Sequence, residues 1–333
     1  MQTPIVDPPT TDPLLRVEGL GVAVRRRQGA LPILEDVTFD LAGDETLAIV
    51  GESGSGKSML ALAITRLLTP PDTYAVSGRV RFQGTDILQL SAEGMRQVRG
   101  RGMAVVFQEA LNALNPVLTV GRQIEETVMR RDGGNAASAR REALRLLDEV
   151  RIPSPAQRLG DYPHQLSGGM RQRVMIAIAL ACRPALVIAD EPTTSLDVTI
   201  QSQILALLRD VRRQNGMSMI FISHNLGAVA AVADRVAVLY AGHVMELARV
   251  EDLFARPRHP YTRALLATTP RVDRPERLAA IPGTVPRFDA LPPGCRFAPR
   301  CPLASAECTM AVPAVRAPAG EPGRLVRCIK PLA

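Results

Sequence analysis

The 333-residue chain contains no tryptophan, and phenylalanine and tyrosine together reach only 3%. That scarcity argues against a protein that grips nucleobases by aromatic stacking. Runs of about five or more basic residues are missing as well, although the formal net charge is +7. Lysine and arginine are interleaved with acids, a balance that suits nucleotide phosphates and an anionic membrane surface better than DNA. The longest apolar run, Val174–Cys182, is roughly half of the ~20 residues that a membrane-spanning helix requires. Met1–Pro13 is polar and proline-rich and lacks the apolar core of a signal peptide. The expectation is a cytoplasmic chain that meets a membrane only through a partner. No internal repeat is evident.

What is present is an alternation of short apolar strands with helices. Leu14–Val24 and Ile33–Leu41 read as strands around a basic turn, Arg25–Ala30, and Ser77–Phe82 as another. Thr46–Val50, Met103–Phe107, Ala185–Ala189, Ser218–Ser223 and Arg235–Tyr240 read as further strands, with helices over Lys57–Leu68, Ile200–Gln214 and Leu226–Ala233. Strands that are apolar on both faces argue a parallel sheet covered on both sides. From Val120 to Val150 the pattern is helical, broken at Asp132-Gly133-Gly134-Asn135, which predicts a helical subdomain over about residues 112–172. Beyond Phe254 proline and arginine rise and only Tyr261–Thr268 reads as helix. The chain thus divides into a terminal segment (1–13), a main domain (14–254) and an extension (255–333).

Gly51-Glu52-Ser53-Gly54-Ser55-Gly56-Lys57-Ser58 fits the phosphate-loop pattern, and it stands between a strand and a helix. In such a loop the backbone N–H groups wrap a β-phosphate, the lysine neutralises β/γ oxygens and the serine hydroxyl ligates Mg²⁺. Leu186–Glu191 supplies a buried strand ending in two acids. Asp190 is placed to hold Mg²⁺ through water, and Glu191 to act as general base towards an attacking water. Gln108 and His224 follow strands of their own, where ligands of open parallel sheets gather. Ser167-Gly168-Gly169 opens the apolar helix of Val174–Ala181. In isolation it reads as an N-capped helix with a flexible lead-in. Beside a complete phosphate loop it reads as a second anion cradle, serving a nucleotide held by another subunit.

In this order the motifs resemble the nucleotide-binding subunits of ABC transporters, over roughly Leu14–Leu253. Gly51–Ser58 is similar to the Walker A loop, Gln108 to the Q-loop glutamine and Leu166–Met170 to the signature motif. Leu186–Glu191 is similar to Walker B, Ser195-Leu196-Asp197 to the D-loop and His224 to the switch histidine. The resemblance implies a P-loop ATPase of α/β class: a mixed sheet with flanking helices, a helical subdomain and a small cysteine-rich extension. It implies ATP and Mg²⁺, the metal held through Ser58, Gln108 and Asp190. ATP is expected between one Walker A and the opposite signature, with Asp197 at the junction. Where the family stacks adenine on an aromatic, this chain has Val24 followed by Arg25-Arg26-Arg27, so the base is expected to be held by an arginine or more weakly.

Leu114–Gly121, His259–Leu266, Ile281-Pro282-Gly283 and Pro293–Pro302 resemble the oligopeptide/dipeptide import branch, which also includes nickel importers. The implied function is an ATPase that powers peptide import. Its implied partners are a second ATPase (identical or a paralogue), two transmembrane permease subunits and an extracytoplasmic solute-binding protein, with no nucleic acid. Its implied place is the cytoplasmic face of the inner membrane, as a peripheral subunit. Import of nickel or another small solute is the alternative within the branch. A soluble ABC ATPase acting on DNA or ribosomes is the alternative outside it, yet the chain has neither long coiled-coil insertions nor a tandem ATPase domain.

Cys182 ends an apolar helix and reads as core. Cys295, Cys301, Cys308 and Cys328 crowd into the extension, where soft ligands in a cytoplasmic chain argue for a metal over disulfides. Their spacing lacks the Cys-x-x-Cys knuckle of most zinc sites and is looser, as in some iron–sulfur sites. The resemblance agrees, implying a [4Fe-4S] cluster with Zn²⁺ as the alternative. A regulatory iron–sulfur protein with a secondary ATPase is a further rival reading.

Overall fold

The computed structural model describes residues 12–27, 29–108, 113–194, 196–268 and 280–332. Two sheets organise them. The larger has seven strands in the order β11-β10-β9-β3-β8-β7-β6. They are β3 (Thr46–Val50), β6 (Met103–Val106), β7 (Leu186–Asp190), β8 (Ser218–Ile222), β9 (Arg235–Tyr240), β10 (His243–Arg249) and β11 (Leu325–Val326). The five from β6 to β9 run parallel, and β10 and β11 close the edge antiparallel. The sheet is therefore mixed.

The central strands explain their burial by period 2. Leu47, Ile49, Leu186, Ile188, Ile220 and Ile222 enter one hydrophobic cluster. Ala48, Val50, Val187, Ala189, Met219 and Phe221 enter the other. Both faces are covered, so these strands read as continuous apolar runs.

The first strands differ from the sequence expectation. β1 (Leu15–Arg26), β2 (Gly29–Leu41), β4 (Tyr74–Phe82) and β5 (Thr85–Asp86) form a separate antiparallel sheet in the order β2-β1-β4-β5. The hairpin is tighter than a turn over Arg25–Ala30, because Arg26 pairs with Gly29. Leu15, Val17, Leu20 and Val22 are buried and their neighbours are not, the signature of a sheet with one covered face. Helix α1 (Lys57–Ile64) packs into the same cluster through Leu60, Ala61 and Ile64.

Met95 of the helix over Ala92–Arg101 joins that cluster too, and the opposite face of the large sheet carries the later helices. After α2 (Ala92–Arg101) come α3 (Val120–Asp132), α4 (Ala136–Glu149) and α5 (Gly168–Ala181). The break between α3 and α4 has a local cause. Gly133 ends α3 with φ 64°, and the Asn135 side chain accepts from the Ser138 N–H to start α4. Helix α6 (Val198–Asn215) and α7 (Leu226–Val232) complete this side.

Beyond Arg249 come α8 (Val250–Ala255), α9 (Pro260–Ala267) and α10 (Ala306–Met310), then β11 on the edge of the sheet. A buried ion pair between Arg324 and Glu246 (2.6 Å) fixes the extension to β10.

Candidate active site

β3, β8, β7 and β6 lie side by side and parallel, so their carboxyl ends share one edge. The phosphate-loop segment follows β3, Gln108 lies just past β6, Asp190 and Glu191 end β7, and His224 lies just past β8. A Cβ at Gly51 would stand 2.1 Å from the Leu239 carbonyl oxygen, so only glycine lets the loop leave the strand there. Gly56, at φ 104°, turns the loop into α1, whose first turn carries no acid. The free N–H groups of that turn keep their positive potential.

Lys57 is 6% exposed. Its Nζ donates to the carbonyls of Gly51 (2.9 Å) and Glu52 (3.1 Å). Burial pushes its pKa down, while the charges of Glu191, Asp190 and Glu52 oppose that shift. Burial likewise pushes the Asp190 carboxyl up, against a hydrogen bond from Ser58 and the charge of Lys57; Glu191 adds to the rise. Oδ1 of Asp190 is buried without a hydrogen-bond partner among the described residues. A hydroxyl and an under-satisfied carboxylate are hard oxygen donors, and they fit Mg²⁺.

Glu191 departs from the strand with φ 45° and donates its N–H to the Ile222 carbonyl at 3.0 Å. Its Oε2 accepts from Thr194 Oγ1 at 2.9 Å and Gln108 Nε2 at 3.3 Å, and it meets His224 Nδ1 at 3.1 Å. With the carboxylate accepting, Nδ1 is the donor and Nε2 faces away from that bond. Gln108, Glu191 and His224, far apart in sequence, thus meet at one oxygen. Thr194 was not singled out in the sequence. Its only signal is a hydroxyl three residues after the acid, a spacing common in turns.

Ser167-Gly168-Gly169 makes none of the hydrogen bonds of this cluster. Ser167 caps α5 by accepting from the Met170 N–H at 3.4 Å, and Ser167 and Gly168 are exposed. A Cβ on Gly169 would meet Ile200 Cγ2 at 2.7 Å, and one on Gly168 would meet Leu196 at 3.5 Å. Asp197 caps α6 by accepting from the Ile200 N–H at 2.9 Å. Ser195 and Glu109–Asn112 lie outside the described residues. Val24 is half-buried and pairs with Leu31 and Tyr74, while Arg25, Arg26 and Arg27 are exposed at the hairpin tip.

In the extension, all four cysteines are unpaired and line one apolar cavity, together with His259 and Phe297. Burial pushes the thiols of Cys295, Cys301 and Cys328 up, towards the protonated form. Among the described residues no group of three or more His, Cys, Asp or Glu is arranged to hold a metal ion. No helix among the described residues is long and apolar enough to cross a membrane.

Comparison with known proteins places these features in context. Residues 34–194 match the ABC transporter family, and residues 245–308 match the oligopeptide/dipeptide transporter C-terminal region. A Brucella abortus protein named "Putative peptide import ATP-binding protein" is 49% identical over 315 residues, 94% of this chain and 95% of its own length. The Bacillus subtilis dipeptide transport ATP-binding protein DppD is 47% identical over 301 residues, 90% of each chain. Among solved structures, a dimeric ATP-binding cassette in a post-hydrolysis state with ADP and Pi superimposes with a TM-score of 0.63 at 26% identity. It covers 71% of this chain and 98% of its own. A cassette from Clostridium perfringens, part of the ABC transporter complex cbiONQ, gives 0.63 at 27% identity, covering 74% and 92%.

Proposed function

The chain belongs to the ABC transporter ATP-binding proteins of the oligopeptide/dipeptide import family, and from that membership we propose how its own residues turn over ATP to drive peptide uptake. The convergence of Gln108, Thr194 and His224 on Glu191 Oε2, at the sheet edge that carries the phosphate loop, is the observation that carries the reading.

The loop from Gly51 to Ser58 binds the phosphates through its backbone N–H groups, and Lys57 moves from its own loop's carbonyls to the β/γ oxygens. Ser58, Asp190 and Gln108 hold Mg²⁺, which when bound neutralises phosphate charge. Glu191 accepts the proton of the attacking water. Gln108, Thr194 and His224 orient its carboxylate, and His224 presents Nε2 to the γ-phosphate region. The exposed Ser167-Gly168-Gly169 turn completes the site of a second ATPase subunit, and Asp197 stands at the junction. The ATPase pair docks on two permease subunits at the cytoplasmic face of the membrane, and a solute-binding protein delivers the peptide outside.

For the extension, Cys295, Cys301, Cys308 and Cys328, which line one cavity though the described residues form no ready metal site, are the residues that would hold a [4Fe-4S] cluster, or Zn²⁺. Its role is to staple a segment that has little core of its own. Iron, zinc and acid-labile sulfide measured on anaerobically purified protein decide between these, and metal-free protein with four titratable thiols refutes both.

The function itself is tested by purifying the chain with its native permease and assaying ATP-dependent uptake into vesicles against a peptide panel. Uptake of a dipeptide or oligopeptide is expected. Stimulation by a nickel chelate alone would move the substrate assignment to the other arm of the branch.

A further inference from the structure

Glu52, the second residue of the phosphate loop, is held at every polar group. Its carboxylate takes a two-pronged ion pair from Arg300, Nη1 to Oε1 at 2.9 Å and Nη2 to Oε2 at 3.1 Å. Its backbone N–H donates to the Tyr261 hydroxyl at 3.0 Å. Its carbonyl accepts from Lys57 Nζ at 3.1 Å and from the Ser55 N–H at 3.2 Å. Arg300 and Tyr261 both belong to the segment beyond Phe254.

The arginine is itself immobilised. Its side chain is 5% exposed. Nε donates to the Pro282 carbonyl at 2.8 Å, Nη2 to the Ile281 carbonyl at 3.2 Å and Nη1 to the Tyr240 hydroxyl at 3.2 Å. Tyr240, Tyr261 and Phe297 pack beneath with ring centroids 4.5, 5.3 and 5.2 Å apart. In a chain so poor in aromatics, three meet behind one loop.

An ion pair that merely seats the extension would serve with any acid of the main domain. This one uses an acid inside an anion-binding loop, whose carbonyl holds the phosphate-loop lysine. An uncompensated carboxylate there would oppose a polyanionic ligand. We propose that Arg300 is a positioning residue of the ATP site, neutralising Glu52 and fixing the first turn of the phosphate loop, so that the extension forms a working wall of that site. This rests on the reading of Gly51–Ser58 as the ATP loop.

The two halves of the pair separate a charge role from a structural one. MgATP binding to the full chain, by calorimetry at fixed ionic strength, is measured for wild type, Arg300→Met, Arg300→Lys, Glu52→Gln and the Glu52→Gln/Arg300→Met double variant. Thermal unfolding is followed in parallel. Arg300→Met raises the dissociation constant about tenfold, the scale of one unscreened charge near an anion site. Arg300→Lys, which keeps the charge but loses the fork, raises it less. Glu52→Gln, which removes the carboxylate that Arg300 offsets, lowers the dissociation constant below wild type, opposite in sign to Arg300→Met, and the double variant returns to within about threefold of wild type. Weakening by Glu52→Gln equal to that by Arg300→Met, with matching losses of Tm, would leave only a structural tether and overturn the proposal. An Arg300→Met constant within about twofold of wild type would overturn it too. If Arg300→Met does not fold, Arg300→Lys and Glu52→Gln keep the packing and decide by the sign of their effects. A wild-type chain that binds no MgATP would overturn the reading of the loop itself, a result distinct from all of these.

Discussion

Glu191→Gln is the smallest change that removes the proposed base and leaves its frame standing. The side chain keeps its length and planarity, and its amide oxygen still accepts from Thr194 Oγ1 (2.9 Å in the wild type) and meets His224 Nδ1 (3.1 Å). Gln108 Nε2, at 3.3 Å, makes the longest of the three contacts and gives up least. The phosphate loop lies on a different strand end, so its ligand contacts are untouched. What disappears is proton acceptance at the attacking water. A positioned general base contributes about 10²–10⁴ in rate, equivalent to about 3–5 kcal/mol of barrier. Steady-state phosphate release by the permease complex should fall by that factor, with the MgATP dissociation constant within about threefold of wild type, the tolerance set for an unperturbed loop. Turnover close to the wild-type rate would refute the assignment of Glu191. Loss of MgATP binding would refute the claim that the two halves of the site are independent.

Lys57→Ala removes a buried ammonium from the loop; MgATP affinity should drop by about 10²-fold or more, as charge-assisted bonds of ~1.5–3 kcal/mol each are lost, measured by calorimetry. Ser167→Arg crowds the exposed turn at the start of α5. It should depress turnover in the ATPase pair while leaving binding at the same chain's own phosphate loop unchanged, and reduced binding by the isolated variant chain would contradict a site completed across subunits. Acid should destabilise the fold through two buried histidines. Burial lowers the pKa of both His243 and His259 from 6.5 to about 4. Each stays neutral in the fold and takes up a proton on unfolding below pH 6.5. Their stability is therefore fully present above about pH 6.5 and is lost as pH falls towards 4, up to about 3 kcal/mol apiece. Urea unfolding at pH 7.5 and pH 5 should show the loss, and His243→Gln should shrink it; equal midpoints at the two pH values would contradict it.

Most elements of the candidate site were legible as local structure. The strand–loop–helix at Gly51–Ser58, the apolar strand before Asp190 and the cap at Ser167 each declare themselves within about ten residues. Sheet partnership was less legible. β1, β2 and β4 mix apolar with polar and charged residues, a pattern that names no partner strand, and only their pairing reveals a separate antiparallel sheet. β10 and β11 escaped because they close an edge, and β11 is two residues long. The contacts of Glu52 with Arg300 and Tyr261 span 248 and 209 residues. No periodicity reports a pair at that separation, and an arginine between proline and cysteine in a proline-rich stretch carries no mark of its partner.

Two neighbouring acids acquire separate surroundings at the end of β7, and the cause is geometric. Along a strand, alternate side chains share a face. Asp190 therefore falls on the side of Leu186 and Ile188, whose cluster contains Leu60 and Ala61 of α1. That is the face against which α1, the helix that carries Ser58, packs. Glu191, continuing the same strand, would point to the opposite face, towards Val187 and Ala189 and the helical cluster that holds them. A carboxylate there would be buried without water. Its left-handed backbone, φ 45°, takes it out of the ladder instead, and its N–H is satisfied by Ile222 at the end of β8. The side chain then reaches Gln108 and His224 at the flanking strand ends. Such a conformation costs a non-glycine residue of order 1 kcal/mol, and the three hydrogen-bond partners on Oε2 together with the bond to Ile222 offset it. Strand alternation alone thus places the carboxylate proposed for Mg²⁺, whereas the one proposed as base depends on a single backbone residue leaving the strand.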